Sequence, residues 1–252
     1  MTEVILETRA LTRRFGALAA VNNVTLSFKK GEMHAVIGPN GAGKSTLINL
    51  LSGDLHADSG NITYQGSDID GLPPDRIARK GIGRSYQKTN IMGGFTCFKN
   101  CWLGAYAARA SRMGFFKPAS AYQDLNTRAE QALELCGMLR RRDRTASSLS
   151  HGEQHRLEIA MMLAAGPQLL LLDEPLAGMG PDETLHMIDL LKKLSLEHTI
   201  VLIEHDMDAV FQLADTISVM VDGEVLETGT PEKIKNSTAV RRAYLGNQDE
   251  PA

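Results

Sequence analysis

The sequence predicts an α/β fold built on a largely parallel sheet, with a helical segment inserted into it. Three features carry this prediction. Two short apolar runs, "QLLLLDEP" and "TIVLIEHD", each end in acidic residues, the pattern of strands buried on both faces of a parallel sheet. The stretch between them, "PDETLHMIDLLKKLSLEH", opens on Pro181 and repeats apolar residues at Leu185, Ile188, Leu191 and Leu194, as a helix with proline in its first turn does. A glycine-rich run, "GPNGAGKST", joins an apolar strand to another helical stretch. Strands alternating with helices in this way form a sheet covered by helices.

In chain order, "AVNNVTLSF" alternates as a strand, and "MHAVIG" is a short apolar strand ending at Gly38. "KSTLINLLSG" reads as a helix that Gly53 terminates, and "GNITYQG" as another short strand. Between about Gly94 and Ala165 the strand signal stops, and "FKNCWLGAYAARA" and "YQDLNTRAEQALELCGML" read as helices. Residues 94–165 are therefore expected to form a helical subdomain, with 1–93 and 166–252 forming the α/β core. "SRMGFFKPAS", punctuated by glycine and proline, reads as a loop, and the terminal "NQDEPA" as a frayed end.

With 43% hydrophobic and 23% charged residues, the 252-residue chain has globular rather than disordered composition. A net charge of −3 lacks the basic footprint of a nucleic-acid-binding domain, so no nucleic-acid partner is expected. Three cysteines without a C-x-x-C pair point to a reducing compartment and away from disulfide or zinc frameworks. The acids near the N-terminus and the lack of any apolar run of about 18 residues argue against a signal peptide or a membrane span, so membrane contact should be peripheral.

"GPNGAGKST" satisfies G-x-x-x-x-G-K-[ST] between a strand and a helix. The candidate nucleotide site is thus the run Gly38, Pro39, Asn40, Gly41, Ala42, Gly43, Lys44, Ser45 and Thr46. Glycines let backbone N–H groups turn toward phosphate oxygens, Lys44 brings positive charge to the β and γ phosphates, and the Ser45 hydroxyl can ligate magnesium. Such a loop needs a carboxylate at the end of a nearby strand, which Asp173 supplies as a metal ligand. Glu174 follows and can orient and deprotonate the attacking water. His205 also follows a buried strand; a lone histidine there is more often structural than catalytic.

Together these pieces resemble the nucleotide-binding subunit of ABC transporters over nearly the whole chain. In that family the phosphate loop is followed by a glutamine, a helical subdomain, a signature near "LSGGQ", an Asp-Glu pair and a histidine. Here these match Gln87, "LSHGE" at 149–153, Asp173 with Glu174, and His205. The resemblance implies the P-loop NTPase ABC-ATPase fold, with an antiparallel β portion beside the parallel core. It also implies Mg2+-dependent ATP hydrolysis coupled to transport at the cytoplasmic side of the inner membrane. In this likeness Gln87 senses magnesium and water while contacting the membrane subunit, His205 steadies the γ phosphate, and Phe15 stacks on adenine. Ser150, His151, Gly152 and Glu153 would face the nucleotide of a second cassette. The implied partners are permease subunits, a second identical or different ATP-binding subunit and, indirectly, a substrate-binding protein. His151 replaces the signature's first glycine, Glu153 its usual glutamine, Phe15 a tyrosine, and Gly180 an aspartate that couples the two sites.

Within the family, "AVNNVTL", the insert with "GFFKP", "LEIA", "LIEHDMDAV" and "RRAYLG" look most like ATPases of branched-chain amino acid importers. Relatives serving urea, amides or lipopolysaccharide export are the neighbouring readings. ATPases acting on DNA or ribosomes usually carry tandem cassettes or long heptad arms, and this chain has neither. The run "LRRRDR" reads as a solvated face. Ile91, Met92, Phe95 and Phe98, just after Gln87, fit either a docking groove for a permease helix or core packing. Cys97 and Cys101 share a helix face but make a poor zinc site, and Met161 and Met162 read as core.

Overall fold

The computed structural model describes residues 3–87, 89–109 and 122–245; the expected loop "SRMGFFKPAS" and frayed end "NQDEPA" lie outside them. Strands β1 (Val4–Phe15) and β2 (Leu18–Lys29) form an antiparallel hairpin. The sequence gives no clear signal for β1. Register shifts between Thr8 and Leu11 and between Leu11 and Arg13, with Ala10 in the left-handed region at φ 49°, interrupt its two-residue alternation. Then come β3 (Met33–Ile37), helix α1 (Lys44–Leu51), β4 (Ser59–Tyr64), β5 (Ser67–Asp68), α2 (Pro74–Arg79) and β6 (Ile82–Arg84). Gly53, at φ 78°, follows α1 and donates to Leu50 O, ending that helix as its sequence predicts.

Helices α3 (Cys97–Ala107), α4 (Gln123–Leu135) and α5 (His151–Ala164) precede β7 (Leu169–Asp173), and α6 (Pro181–Leu194) leads to β8 (Thr199–Ile203). The chain closes with α7 (Met207–Leu213), β9 (Thr216–Val221), β10 (Glu224–Gly229), α8 (Pro231–Asn236) and α9 (Thr238–Leu245). Two sheets result. One is antiparallel, in the order β2-β1-β4-β5; the other runs β10-β9-β3-β8-β7-β6 and is parallel except for β10. The expected combination of a mostly parallel core and an antiparallel β portion is therefore present.

Every residue of β3, β7 and β8 is buried, which explains why these strands read as unbroken apolar runs. Leu169 and Leu171 point into a core shared with α1 and the antiparallel sheet, while Leu170 and Leu172 face a second core shared with α3, α4, α5 and α6. Each such leucine contributes about 1.5–3 kcal/mol by leaving water. The α6 stripe differs from expectation at one position. Leu185 is 60% exposed, and the buried face is Met187, Ile188, Leu190, Leu191 and Leu194. All three cysteines are buried thiols, and burial pushes Cys136 up to about 12, so they act as apolar core atoms.

The parallel pairing sets the functional edge. Val36 of β3 and Asp173 of β7 both align with Ile203 of β8, so the segments leaving these three strands emerge side by side.

Candidate nucleotide site

Gly38 leaves β3 where backbone crowds it; a Cβ there would sit 2.1 Å from the Met220 carbonyl oxygen. Gly43 has φ 96°, and its Cβ would sit 2.0 Å from the Ala20 carbonyl oxygen, so only glycine fits. Gly43 is also the N-cap of α1 and supplies no side-chain cap, which leaves the first N–H groups of that helix available to an anion. Lys44 Nζ donates to the carbonyls of Gly38 at 2.7 Å and Pro39 at 3.0 Å, folding the loop around its own ammonium. Burial lowers the Lys44 pKa, and the nearby charges of Glu174 and Asp173 oppose that shift.

Asp173 ends β7 with 6% exposure, and its N–H donates to Ser85 Oγ at 3.1 Å. Burial raises its carboxyl pKa, against the pull of Arg84, whose guanidinium lies 3.9 Å away. Arg84 also donates to Asn49, Ser52 and Asp54, and its guanidinium lies over the Tyr86 ring at 4.7 Å. Glu174 adopts a left-handed φ of 48°, a strain of about 1–3 kcal/mol for a side-chain-bearing residue. Its N–H donates to Ile203 O at 2.9 Å, which helps hold that conformation. His205 is mostly exposed, with Nδ1 3.8 Å from Glu174 Oε2. An open cleft of about 480 Å³ is lined in part by Ser45, Asn49, Arg84, Gln87 and Asp173. Lys44, Ser45, Gln87, Asp173, Glu174 and His205 thus gather at one sheet edge. Phe15, at the end of β1, is 47% exposed with the Arg13 guanidinium 5.1 Å from its ring centroid.

The signature lies elsewhere, at the start of α5, and none of its residues lines that cleft. Ser150 is the N-cap; its Oγ accepts from the Glu153 N–H at 3.3 Å, while Glu153 Oε2 accepts from the Ser150 N–H at 3.1 Å. Glu153 also pairs with Arg141 at 2.6 Å, so the carboxylate found in place of the usual glutamine has a charged partner. The Ser150 hydroxyl donates to Glu183 of α6 at 3.0 Å, and a Cβ on Gly152 would meet the same carboxylate at 2.7 Å. His151 packs edge-on against His155, ring centroids 4.6 Å apart. The arginine run is more than a solvated face: besides Arg141, Arg142 pairs with Glu130 at 2.6 Å and lies over the Phe98 ring at 4.8 Å.

The apolar group after Gln87 divides. Met92 and Phe95 are exposed, whereas Ile91 and Phe98 are half-buried against the core. Phe95 and Phe98 line a cavity of about 510 Å³ with Lys99, Trp102, Leu103 and Arg142. Met162 is core as expected; Met161 is only half-buried and lines a groove between α3, α5 and β6.

Two buried acids outside the cleft lining, not singled out from sequence, tie together the segments around the site. Glu204 accepts from the Leu176 N–H at 2.8 Å and the His205 N–H at 3.1 Å, tying the segment after Glu174 to the segment carrying His205. Glu158, on α5, accepts from the Tyr86 and Asn90 N–H groups at 3.3 and 3.0 Å. Burial pushes Glu158 up to about 7 while those two N–H groups act in the other direction. The adjacency of glutamate and histidine in "LIEHDM" was the only available signal for Glu204.

A phosphate loop, an acid-tipped strand and a glycine-bearing helix cap on a separate helix define a nucleotide-binding cassette. The ABC transporter family profile matches residues 21–177, and the chain belongs to that family as its ATP-binding, ATP-hydrolysing subunit. It is 40% identical over 253 residues to the high-affinity branched-chain amino acid transport ATP-binding protein LivG of Salmonella typhimurium, covering 98% of this chain and 99% of that protein. It is 39% identical to BraF, the corresponding protein of Pseudomonas aeruginosa, over the same shares. Among solved structures it is similar to an ATP-binding cassette of an ABC transporter in its ADP conformation. That likeness has a TM-score of 0.86 at 29% identity, covering 97% of this chain and all of that one.

Proposed function

We propose that this chain drives import of branched-chain or related hydrophobic amino acids, working on the cytoplasmic face of a membrane permease. The observation that carries this reading is the near full-length likeness to LivG and BraF. A transport role through partners is consistent with the absence, among the described residues, of any helix long and apolar enough to cross a membrane. Residues 94–165 would act as a helical subdomain against a core formed by 1–93 and 166–252, with exposed Met92 and Phe95 offered to a permease helix.

The site residues divide the chemistry among them. The N–H groups of the 38–46 loop and the Lys44 ammonium hold the phosphates, with Phe15 against the adenine. Among the described residues, no group of three or more His, Cys, Asp and Glu side chains could hold a metal ion. The donor set at the cleft is instead the hydroxyl of Ser45, the amide of Gln87 and the carboxylate of Asp173, and it fits Mg2+ completed by phosphate oxygens and water. When bound, Mg2+ neutralises charge on the β and γ phosphates. Glu174 takes a proton from water as the water oxygen bonds to the terminal phosphorus, and the bond from that phosphorus to ADP breaks. His205 steadies the leaving phosphate. Residues Ser150, His151, Gly152 and Glu153 would serve the nucleotide of a second cassette, with a substrate-binding protein delivering cargo to the permease.

The test is uptake by membrane vesicles holding this chain and its copurifying subunits. ATP-dependent accumulation of labelled leucine, and not of labelled urea, is expected. Accumulation of urea alone would assign the cargo to another branch of the family.

A further inference from the structure

Glu158 sits on α5 about one and a half turns beyond the signature, with 3% of its surface exposed. A single atom, Oε1, accepts both the Tyr86 and the Asn90 N–H. These two amides bracket Gln87, in a segment between β6 and α3 whose described residues form no strand or helix. The other oxygen, Oε2, is buried with no hydrogen-bond partner among the described residues, and His155 Nδ1 lies 4.0 Å away. An acid kept at such cost, where an apolar side chain would pack, needs a reason.

The surrounding packing supplies one. A Cβ on Gly104 of α3 would lie 2.0 Å from the Met161 carbonyl of α5, and a Cβ on Gly83 of β6 would lie 2.5 Å from Met162. Helix α5 therefore lies in close contact with the elements on either side of the Gln87 segment, and Glu158 is its polar link to that segment. We propose that Glu158 is a positioning residue for Gln87, tying the Gln87 segment to the helix whose first turn is the signature. Pairing of the signature with a second cassette and placement of Gln87 in the cleft are then one movement. The proposal rests on the roles given above to Gln87 and the signature.

Glu158→Leu removes the shared acceptor, whereas Glu158→Gln retains a carbonyl oxygen that can accept both N–H groups. In the full chain, Glu158→Leu is expected to speed hydrogen exchange at the Tyr86 and Asn90 amides by about tenfold or more. Its kcat for phosphate release should fall about tenfold with KM for ATP nearly unchanged, as for a misplaced group outside the binding contacts. Glu158→Gln should behave as wild type in both measurements. Glu158→Met, similar in length, carries the expectations of the leucine variant should that protein not fold.

Because Glu158 acts through Gln87, the double variant Glu158→Leu/Gln87→Ala should lose no more kcat than Gln87→Ala alone. Unchanged exchange in Glu158→Leu, or additive losses in the double variant, would overturn the proposal while leaving the role of Gln87 intact. A Gln87→Ala protein with wild-type kcat would instead overturn the role of Gln87, and this proposal with it.

Discussion

Glu174→Gln is expected to bind ATP as tightly as the wild-type chain and to lose at least about 100-fold in kcat, the low end of what a positioned general base contributes. The substitution is nearly isosteric, and the backbone bond from residue 174 to Ile203 O at 2.9 Å does not involve the side chain. The left-handed turn at φ 48° should therefore survive, with the amide where the carboxylate stood. What changes is chemistry: an amide cannot take the proton of an attacking water. His205, 3.8 Å from the carboxylate, cannot substitute if its role is to steady phosphate. Calorimetry of ATP binding and steady-state phosphate release check the two halves separately. A variant that keeps turnover within about threefold would remove Glu174 from the mechanism.

Lys44→Ala is expected to weaken ATP binding by about 10- to 150-fold, from the roughly 1.5–3 kcal/mol of a charge-assisted hydrogen bond. Two losses combine. The phosphates lose a cation, and the loop loses the bonds from Nζ to the Gly38 and Pro39 carbonyls that close it. Lys44→Met keeps the length of the side chain without the charge, so affinity restored by methionine would place the effect in packing rather than charge. Titration calorimetry checks both variants, and unchanged affinity in Lys44→Ala would contradict the phosphate-loop assignment.

Much of this architecture is legible in the residues because burial and glycine geometry leave local marks. The strands that end at the site are buried on both faces, so β3, β7 and β8 read as unbroken apolar runs. Gly43 must be glycine because of where its backbone lies. The short strand β6, "IGR", leaves no such mark: three residues with a central glycine become a strand only by pairing with Leu169, Leu170 and Leu171. Leu185 fits the helical period of α6 and still faces solvent, because periodicity fixes a face and not what covers it.

The acids and cations that support the site are the least legible part. Arg84 reaches Asp54 across 30 positions, and Glu158 reaches Asn90 across 68, distances over which spacing carries no signal. The same limit hid the Glu183 carboxylate beside Ser150, 33 positions away. The roles of Gln87, His205 and Phe15 came from family resemblance, and the geometry adds their placement: two at the sheet edge and one at the exposed end of β1.

In the proposed mechanism the helix cap at Ser150 reads a phosphate held by another cassette, so that each ATP would lie between two chains. Light scattering of Glu174→Gln with and without ATP, alone and mixed with the ATPase that copurifies from membranes, decides whether it does. ATP should shift the variant from 27.5 kDa toward about twice that mass. Adding Ser150→Arg should abolish the shift while each monomer still binds ATP, because the larger side chain fills the place where the partner's phosphate would approach. A Glu174→Gln/Ser150→Arg protein that pairs with ATP as readily as the single variant would show that the signature does not read a neighbour's phosphate.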